Sequence, residues 1–198
     1  MPPSHEFYHL SNFWTDQLIV ADSRDQLDIP AVFRGELIPD TPLNFNVQLG
    51  TRFADLLGTG YAGIYLVSER FAAALSQSQF TGWRILQAAI LQPDNKLNSS
   101  YGLLSVLGRC GVIDANKSRV VSLPSKSPTG QSLFRFGYHF DYASWDGTDI
   151  FLPQGTRLTF LTDRVRVALE QANLDNVVLT NINEVKQLVP KKSQERHT

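Results

Sequence analysis

Ser68-Glu69-Arg70-Phe71 recurs later in the chain, in altered form, as Thr162-Asp163-Arg164-Val165. Both stretches begin with a hydroxyl side chain, which suits a helix N-cap, and continue with a carboxylate, which suits the first helical turn. The two arginines lie 94 positions apart (164 − 70 = 94). At this offset only five of the 32 residue pairs between 55–86 and 149–180 are identical, but the apolar positions largely coincide. We therefore interpret the two regions as copies of one β-β-α-β unit.

The arginines of this repeat are unusual, because a cation near a helix N-terminus lies at the unfavourable end of the helix dipole. Asp55 and Asp149 recur at the same offset as Arg70 and Arg164. We therefore predict that both arginines are structural, and that their acceptors are these two carboxylates or nearby strand carbonyls. A bidentate ion pair would offset the unfavourable position of each cation.

The order of these patterns predicts an α+β fold of two related β-β-α-β halves, with mostly antiparallel sheet and helices packed on it. We place the α+β domain at 51–185. Residues 1–50 precede it as an acidic, loop-rich segment, in which Ala31-Val32-Phe33 is predicted to be a strand. Residues 186–198 form a polar, basic tail that we expect to fray.

Two further patterns concern strands. The aromatic stretches Leu133-Phe134-Arg135-Phe136 and Tyr138-His139-Phe140-Asp141-Tyr142 roughly alternate and are predicted to be strands that contribute to the core. Gly58-Thr59-Gly60-Tyr61-Ala62-Gly63 matches a dinucleotide-binding pattern by letter, but a strand rather than a helix is predicted after it. A glycine-rich hairpin is therefore the better interpretation.

Composition limits the classes of function. With 198 residues, 42% of them hydrophobic, the chain can bury a full core. Its net charge of −1 argues against nucleic-acid binding through bulk electrostatics. The charge is unevenly spread, since residues 1–69 hold three basic and nine acidic side chains (net −6) and the rest hold fifteen and ten (net +5).

Cysteine usage and hydropathy bear on the compartment. Cys110 is the single cysteine, which excludes an intramolecular disulfide and a multi-cysteine zinc site and fits a reducing compartment. The N-terminus lacks the features of a signal peptide, and no apolar run approaches membrane-spanning length. We therefore expect a soluble cytoplasmic protein with no membrane contact.

One polar cluster is a candidate for chemistry. His139, Asp141, Asp146 and Asp149 lie within eleven residues. A zinc site would need further His or Cys ligands, and a hard-cation loop would need more oxygens at regular spacing. Turn and surface roles fit these residues better, and we predict no catalytic residue, metal or cofactor. An enzyme or ligand-binding protein that uses 139–149 remains the alternative.

Several motifs follow one another in a recognisable order. They are Leu66-Val67-Ser68-Glu69-Arg70, Tyr101-Gly102-Leu103-Leu104-Ser105-Val106, Ile113-Asp114-Ala115-Asn116-Lys117-Ser118 and Gly147-Thr148-Asp149-Ile150-Phe151. Their order and spacing, over roughly 53–182, resemble a bacterial family of predicted immunity proteins of polymorphic toxin systems, formerly catalogued as a domain of unknown function. A related myxobacterial group carries a double C-x-x-C-G zinc motif, whose cysteines are absent here. The resemblance implies a non-enzymatic protein that neutralises a cognate toxin by occlusion.

The uneven charge provides a candidate contact surface for such a partner. The acidic stretch between Asp16 and Asp40, which includes Asp22, Asp25 and Asp28, would attract a basic toxin through complementary charge. Trp14 and Trp145 are candidate anchors, because interface energy concentrates in a few aromatic side chains. The alternative is a solvated acidic face without a partner.

Overall fold

Six strands close into a barrel in the computed structural model, which describes residues 6–124 and 130–189. In the order of pairing they are β2 (Val20–Ser23), β3 (Leu43–Leu49), β6 (Trp83–Leu91), β7 (Leu97–Val106), β5 (Tyr65–Ser68) and β4 (Leu56–Thr59). Leu57, Leu66 and Phe45 fill the interior, and alternate residues such as Leu56 and Val67 point outward into a second core. The glycine-rich stretch 58–63 connects β4 to its antiparallel partner β5, as the predicted hairpin requires.

A five-stranded sheet lies beside the barrel. Its order is β13 (Val178–Asn181), β1 (Phe7–Ser11), β12 (Thr159–Thr162), β11 (Ile150–Gln154) and β8 (Gly108–Val112). The β11–β8 pair is parallel and the other pairs are antiparallel. The protein is therefore mostly β, with mixed sheets and few helices, which is consistent with the predicted α+β class.

Helices α2 (Glu69–Ser76) and α3 (Asp163–Gln171) pack between the barrel and the five-stranded sheet. Each helix places its apolar stripe, Phe71 and Leu75 in α2 and Val165 and Leu169 in α3, in one shared core. The core is thus made by both halves of the chain together.

The first helix corrects one prediction. Ala31-Val32-Phe33 belongs to helix α1 (Ile29–Arg34), so the predicted strand is wrong. The Asp28 side chain accepts the Ala31 N–H as an N-cap, Pro30 lies in the first turn, and Gly35 ends the helix with φ 71°. These capping signals outweigh the β-branched and aromatic character of the three residues.

A third sheet has three strands in the order β14 (Lys186–Leu188), β10 (Gln131–Phe136) and β9 (Arg119–Pro124). Strand β10 is one of the two predicted aromatic strands. The strand prediction for 138–142 is wrong. This stretch contributes Tyr138 and Phe140 to an aromatic core cluster but does not form a strand. Lys186–Leu188 pairs with β10 and so does not fray, whereas 190–198 lie outside the described residues.

The N-terminal part of the chain shares both larger sheets. Within the predicted segment 1–50, β1 lies between β12 and β13, and β2 and β3 complete the barrel. Residues 6–50 therefore share their sheets and cores with the chain beyond residue 50.

Strand pairing has the same register in the two halves at the offset of 94. Leu56 pairs with Val67 in the barrel, and Ile150 pairs with Leu161 in the five-stranded sheet. The backbone carbonyl of Asp55 accepts the Ser68 N–H at 3.0 Å, and the backbone carbonyl of Asp149 accepts the Thr162 N–H at 2.9 Å. Each half therefore begins with the same hairpin.

Strands β1 and β7 occupy equivalent places. Gly102 of β7 pairs with Val67 and Gln87, and Tyr8 of β1, 94 positions earlier, pairs with Leu161 and Asn181. Each strand therefore lies between the second and last strands of a β-β-α-β unit.

Candidate functional site

Asp55 precedes β4, and its carboxylate is the centre of a small polar network. It accepts hydrogen bonds from Ser68 Oγ at 2.5 Å, from Arg70 Nη1 at 2.9 Å and from the Asp175 N–H at 2.8 Å. The Asp55 side chain is 6% exposed. Burying an ionised carboxylate without hydrogen-bond donors would cost free energy of folding, so these donors explain why the Asp55 carboxylate can be buried here.

Asp149 has the corresponding place before β11. It forms an ion pair with Arg164, whose Nε lies 3.0 Å from a carboxylate oxygen, and it accepts hydrogen bonds from Thr162 Oγ1 at 3.2 Å and from the Thr81 N–H at 2.9 Å and hydroxyl at 3.0 Å. Thr81 and Asp175 are themselves 94 positions apart (175 − 81 = 94). The two carboxylates thus bind equivalent sets of donors.

Each arginine also reaches the helix of the other half. Arg70 Nη2 donates to the carbonyls of Ala172 and Asn173, which follow α3, and Arg164 Nη2 donates to the carbonyl of Ser78, which follows α2. A cation is favourable at a helix C-terminus. Each guanidinium lies near the unfavourable N-terminus of its own helix but also at the favourable C-terminus of the other helix. The sequence alone did not reveal this second contact.

The polar cluster at 139–149 forms turns. Asp141 accepts the Ala143 N–H at 3.0 Å, and Asp146 accepts the N–H groups of Arg109 at 2.6 Å and Thr148 at 3.0 Å. Asp149 belongs to the arginine network described above. In the described ranges, no group of three or more His, Cys, Asp or Glu side chains is placed to hold a metal ion.

Other titratable groups are held in their neutral forms by burial. Burial raises the pKa of Cys110 to about 12, which disfavours the reactive thiolate, and lowers the pKa of His9 to about 4. Tyr101 lines a 580 Å³ cleft at the barrel, where burial, followed by the charges of Asp55 and Asp175, raises its pKa to about 12. Its hydroxyl donates to the Ala54 carbonyl, so it is committed to the fold.

The immunity protein family Imm11 matches residues 18–184 of the sequence. The chain belongs to this family. The resemblance inferred from the motif order is thereby confirmed. No curated protein matches the sequence. Nor does the described part of this Imm11 chain contain a helix with the length and apolar character needed to cross a membrane.

The two tryptophans proposed as anchors differ in this Imm11 protein. Trp14 is 73% exposed and follows Phe13, which is 62% exposed. Trp145 is half-buried, with its ring centroid 5.1 Å from that of Phe7 and 5.6 Å from that of Phe151. Its indole N–H donates to the Thr148 carbonyl. Trp14 is thus presented to solvent, and Trp145 packs within the protein.

The acidic side chains also divide into two sets. Asp22 accepts the Ser23 N–H, Asp25 accepts the Asn44 N–H, and Asp28 caps α1, each at 2.9 Å. These three carboxylates stabilise local backbone. Asp16 and Asp40 are exposed and form no hydrogen bond or ion pair within the described residues, so their charges are available to solvent or a partner.

Proposed function

We propose that this Imm11 protein neutralises a cognate protein toxin by binding it and covering its functional surface, without catalysing a reaction. Family membership supports the immunity role. The observation that carries the binding surface is the exposure of Phe13 and Trp14, 62% and 73%, on neighbouring positions. Adjacent exposed aromatics are the kind of side chain that dominates interface energy.

The toxin surface that meets this segment is basic in our proposal. Asp16 follows the aromatic pair closely, and residues 1–69 carry a net charge of −6. Complementary charge would speed association and depend on salt. Asp22, Asp25 and Asp28 contribute long-range charge, while their direct bonds remain with the local backbone.

Co-expression with the toxin encoded beside this gene tests the proposal. Wild-type protein should restore growth, and Trp14→Ala together with Asp16→Lys should weaken binding of the purified toxin by about tenfold or more. Leu97→Ala is a control, because Leu97 is 59% exposed on β7, whereas Phe13 and Trp14 lie in the connection between β1 and β2. Cell death in the presence of well-folded wild-type protein would contradict the immunity role.

We also propose that the offset of 94 records an ancestral duplication in which the copies exchanged one strand. The first copy would contain β1, β4, β5, α2 and β6, and the second β7, β11, β12, α3 and β13. The matched registers of the two hairpins and of β1 and β7 support this history. Failure of the two sets to superpose in a crystal structure would contradict it.

A further inference from the structure

The three-stranded sheet β14-β10-β9 stands apart from the cores. The core clusters fill the barrel, the space beneath the helices and the aromatic end of the five-stranded sheet, and the side chains of β9, β10 and β14 belong to none of them. Pairing places Phe134 opposite both Val121 and Leu188, and Phe136 opposite both Arg119 and Lys186. Since side chains alternate across a strand, these residues share one face, which we call the Phe134 face.

The Phe134 face combines apolar surface with positive charge. Leu188 is 61% exposed, and Phe134, Phe136 and Val121 are partly exposed. Lys186 Nζ lies 4.0 Å from the Phe134 ring centroid, and the Arg119 guanidinium carbon lies 5.1 Å from that of Phe136. A monomeric protein that leaves apolar surface of this kind uncovered commonly uses it for binding.

Positive charge on this sheet is not balanced locally. The three strands contain Arg119, Arg135 and Lys186 but no Asp or Glu. None of the three cations forms an ion pair with a carboxylate of the described residues, whereas Arg34, Arg52 and five other described cations do: Arg70, Lys96, Lys117, Arg164 and Arg166. Arg119 and Lys186 lie on the Phe134 face, whereas Arg135 alternates with Phe134 and points to the opposite face. The charge of Arg119 and Lys186 is therefore available to an incoming partner.

We infer that the Phe134 face is a second docking surface for the toxin, and that it takes a toxin patch with acidic side chains around an apolar centre. This inference rests on the proposed function. It adds a contact whose sign is opposite to that of the Trp14 segment, so the toxin must present both a basic and an acidic patch. Fixing two patches of opposite sign also sets the orientation of the toxin.

A protein occupant fits this face better than a nucleic acid. Single-stranded nucleic acids stack on open aromatic faces, but Lys186 and Arg119 already lie over the two phenylalanine rings. Tight phosphate binding also draws on many cations, and the sheet supplies only three. The aliphatic side chains between the rings suit contact with an apolar protein surface.

Binding of an inactivated form of the neighbouring toxin, measured by titration calorimetry at low and high salt, tests the inference. Arg119→Glu with Lys186→Glu should weaken binding by about tenfold or more at low salt and less at high salt. Phe134→Ala should weaken it by about tenfold with little dependence on salt. Thermal unfolding of each variant checks that the fold is retained.

Matched controls lie on the same strand and elsewhere on the surface. Leu133 alternates with Phe134, is 51% exposed and points to the opposite face, so Leu133→Ala should leave binding unchanged. Lys96→Glu changes an exposed cation between β6 and β7, outside both proposed contact surfaces, and should also have little effect.

The outcomes separate the two proposals. If wild-type protein does not bind the toxin, both proposals are wrong. If wild-type protein binds and the Phe134-face variants bind equally well, only the docking inference is wrong. A fluorescent single-stranded RNA oligonucleotide tests the nucleic-acid alternative. If wild-type protein binds the RNA, and Arg119→Glu abolishes RNA binding but leaves toxin binding unchanged, the docking inference is wrong and the face is a nucleic-acid surface.

Discussion

The two β-β-α-β units build nearly the same network around Asp55 and Asp149, yet the details differ. In the first unit the backbone N–H of Asp175, another acidic residue, bonds to Asp55; in the second, Thr81 binds Asp149 through its N–H and its neutral hydroxyl. Both units keep the buried carboxylate, the arginine and the contact to the other helix. The comparison therefore separates the contacts that the architecture requires from those that can differ between the two units.

The largest expected effect is the loss of a buried carboxylate. Asp149→Asn should lower the free energy of unfolding by about 2–4 kcal/mol, because an amide cannot accept all the donors that converge there. Asp55→Asn should cost about 1 kcal/mol less, because removing its charge also relieves repulsion from Asp175. Urea unfolding of both variants measures the difference. An equal or larger loss for Asp55→Asn would show that the acidic neighbour has no influence.

A second contrast lies between the inserted strands. His9 of β1 corresponds to Leu103 of β7 (103 − 9 = 94), and burial lowers the folded-state pKa of His9 to about 4, below the value of about 6.5 for an unfolded chain. Between these values the unfolded chain binds a proton that the folded chain does not, so stability is lost as the pH falls.

Replacing His9 by the residue of the other strand tests this. His9→Leu should reduce the loss of stability between pH 7 and pH 4.5 by roughly 1–3 kcal/mol. Carboxylate titration is common to both proteins and cancels in the comparison. Parallel pH profiles for variant and wild type would mean that His9 is not protonated on unfolding in this range.

Local chemistry in the sequence predicted part of this architecture. The hydroxyl-acid-arginine stretch and the recurring Asp gave the helices and their hairpins, because N-caps and apolar stripes act over a few residues. The position of β1 and β7 between the second and last strands of each unit was not predictable in this way, since the β5–β7, β1–β12 and β1–β13 pairs join strands that are far apart in the sequence. Ala31-Val32-Phe33 was misassigned because Asp28 and Gly35 dominate over side-chain type.

Of the two candidate surfaces, one was predictable from the sequence and the other was not. Trp14 was named from the sequence, and its exposure of 73% keeps it a candidate. The Phe134 face was missed, because the stretch 133–136 looked like core strand. Only the structure places Lys186 beside it, 52 positions later (186 − 134 = 52). The absence of acidic residues from Ala115 to Phe140 was the available sequence signal.

A third test concerns the two arginines. Arg70 and Arg164 side chains are 63% and 60% exposed, so Arg→Ala at either should cost only about 1 kcal/mol, less than loss of its buried partner. Arg→Lys should lose most of the same stability, because an ammonium cannot bond the carboxylate and the distant carbonyls with a planar fork. Unfolding at low and high salt measures this. A Lys variant as stable as wild type would show that charge alone suffices.

The smallest expected difference lies at the N-caps. Ser68 and Thr162 have nearly the same backbone, with φ −70° and ψ 164° against φ −73° and ψ 160°. Ser68 Oγ both donates to Asp55 and accepts the Phe71 N–H at 3.2 Å, whereas Thr162 donates to Asp149 without a side-chain cap bond. Because the backbones agree, the difference arises from the side chains.

Ser68→Ala should therefore cost about 0.5–1 kcal/mol more than Thr162→Ala, which is the typical contribution of a cap bond. Hydrogen exchange gives a local measure, because the Phe71 amide should lose protection in Ser68→Ala, while the Val165 amide should change little in Thr162→Ala. Thr162→Ser is the complementary variant, and gained protection at Val165 would show that the extra methyl prevents the cap. Equal costs for the two alanine variants would mean that the bond to the carboxylate, present in both units, accounts for the whole contribution of the hydroxyl.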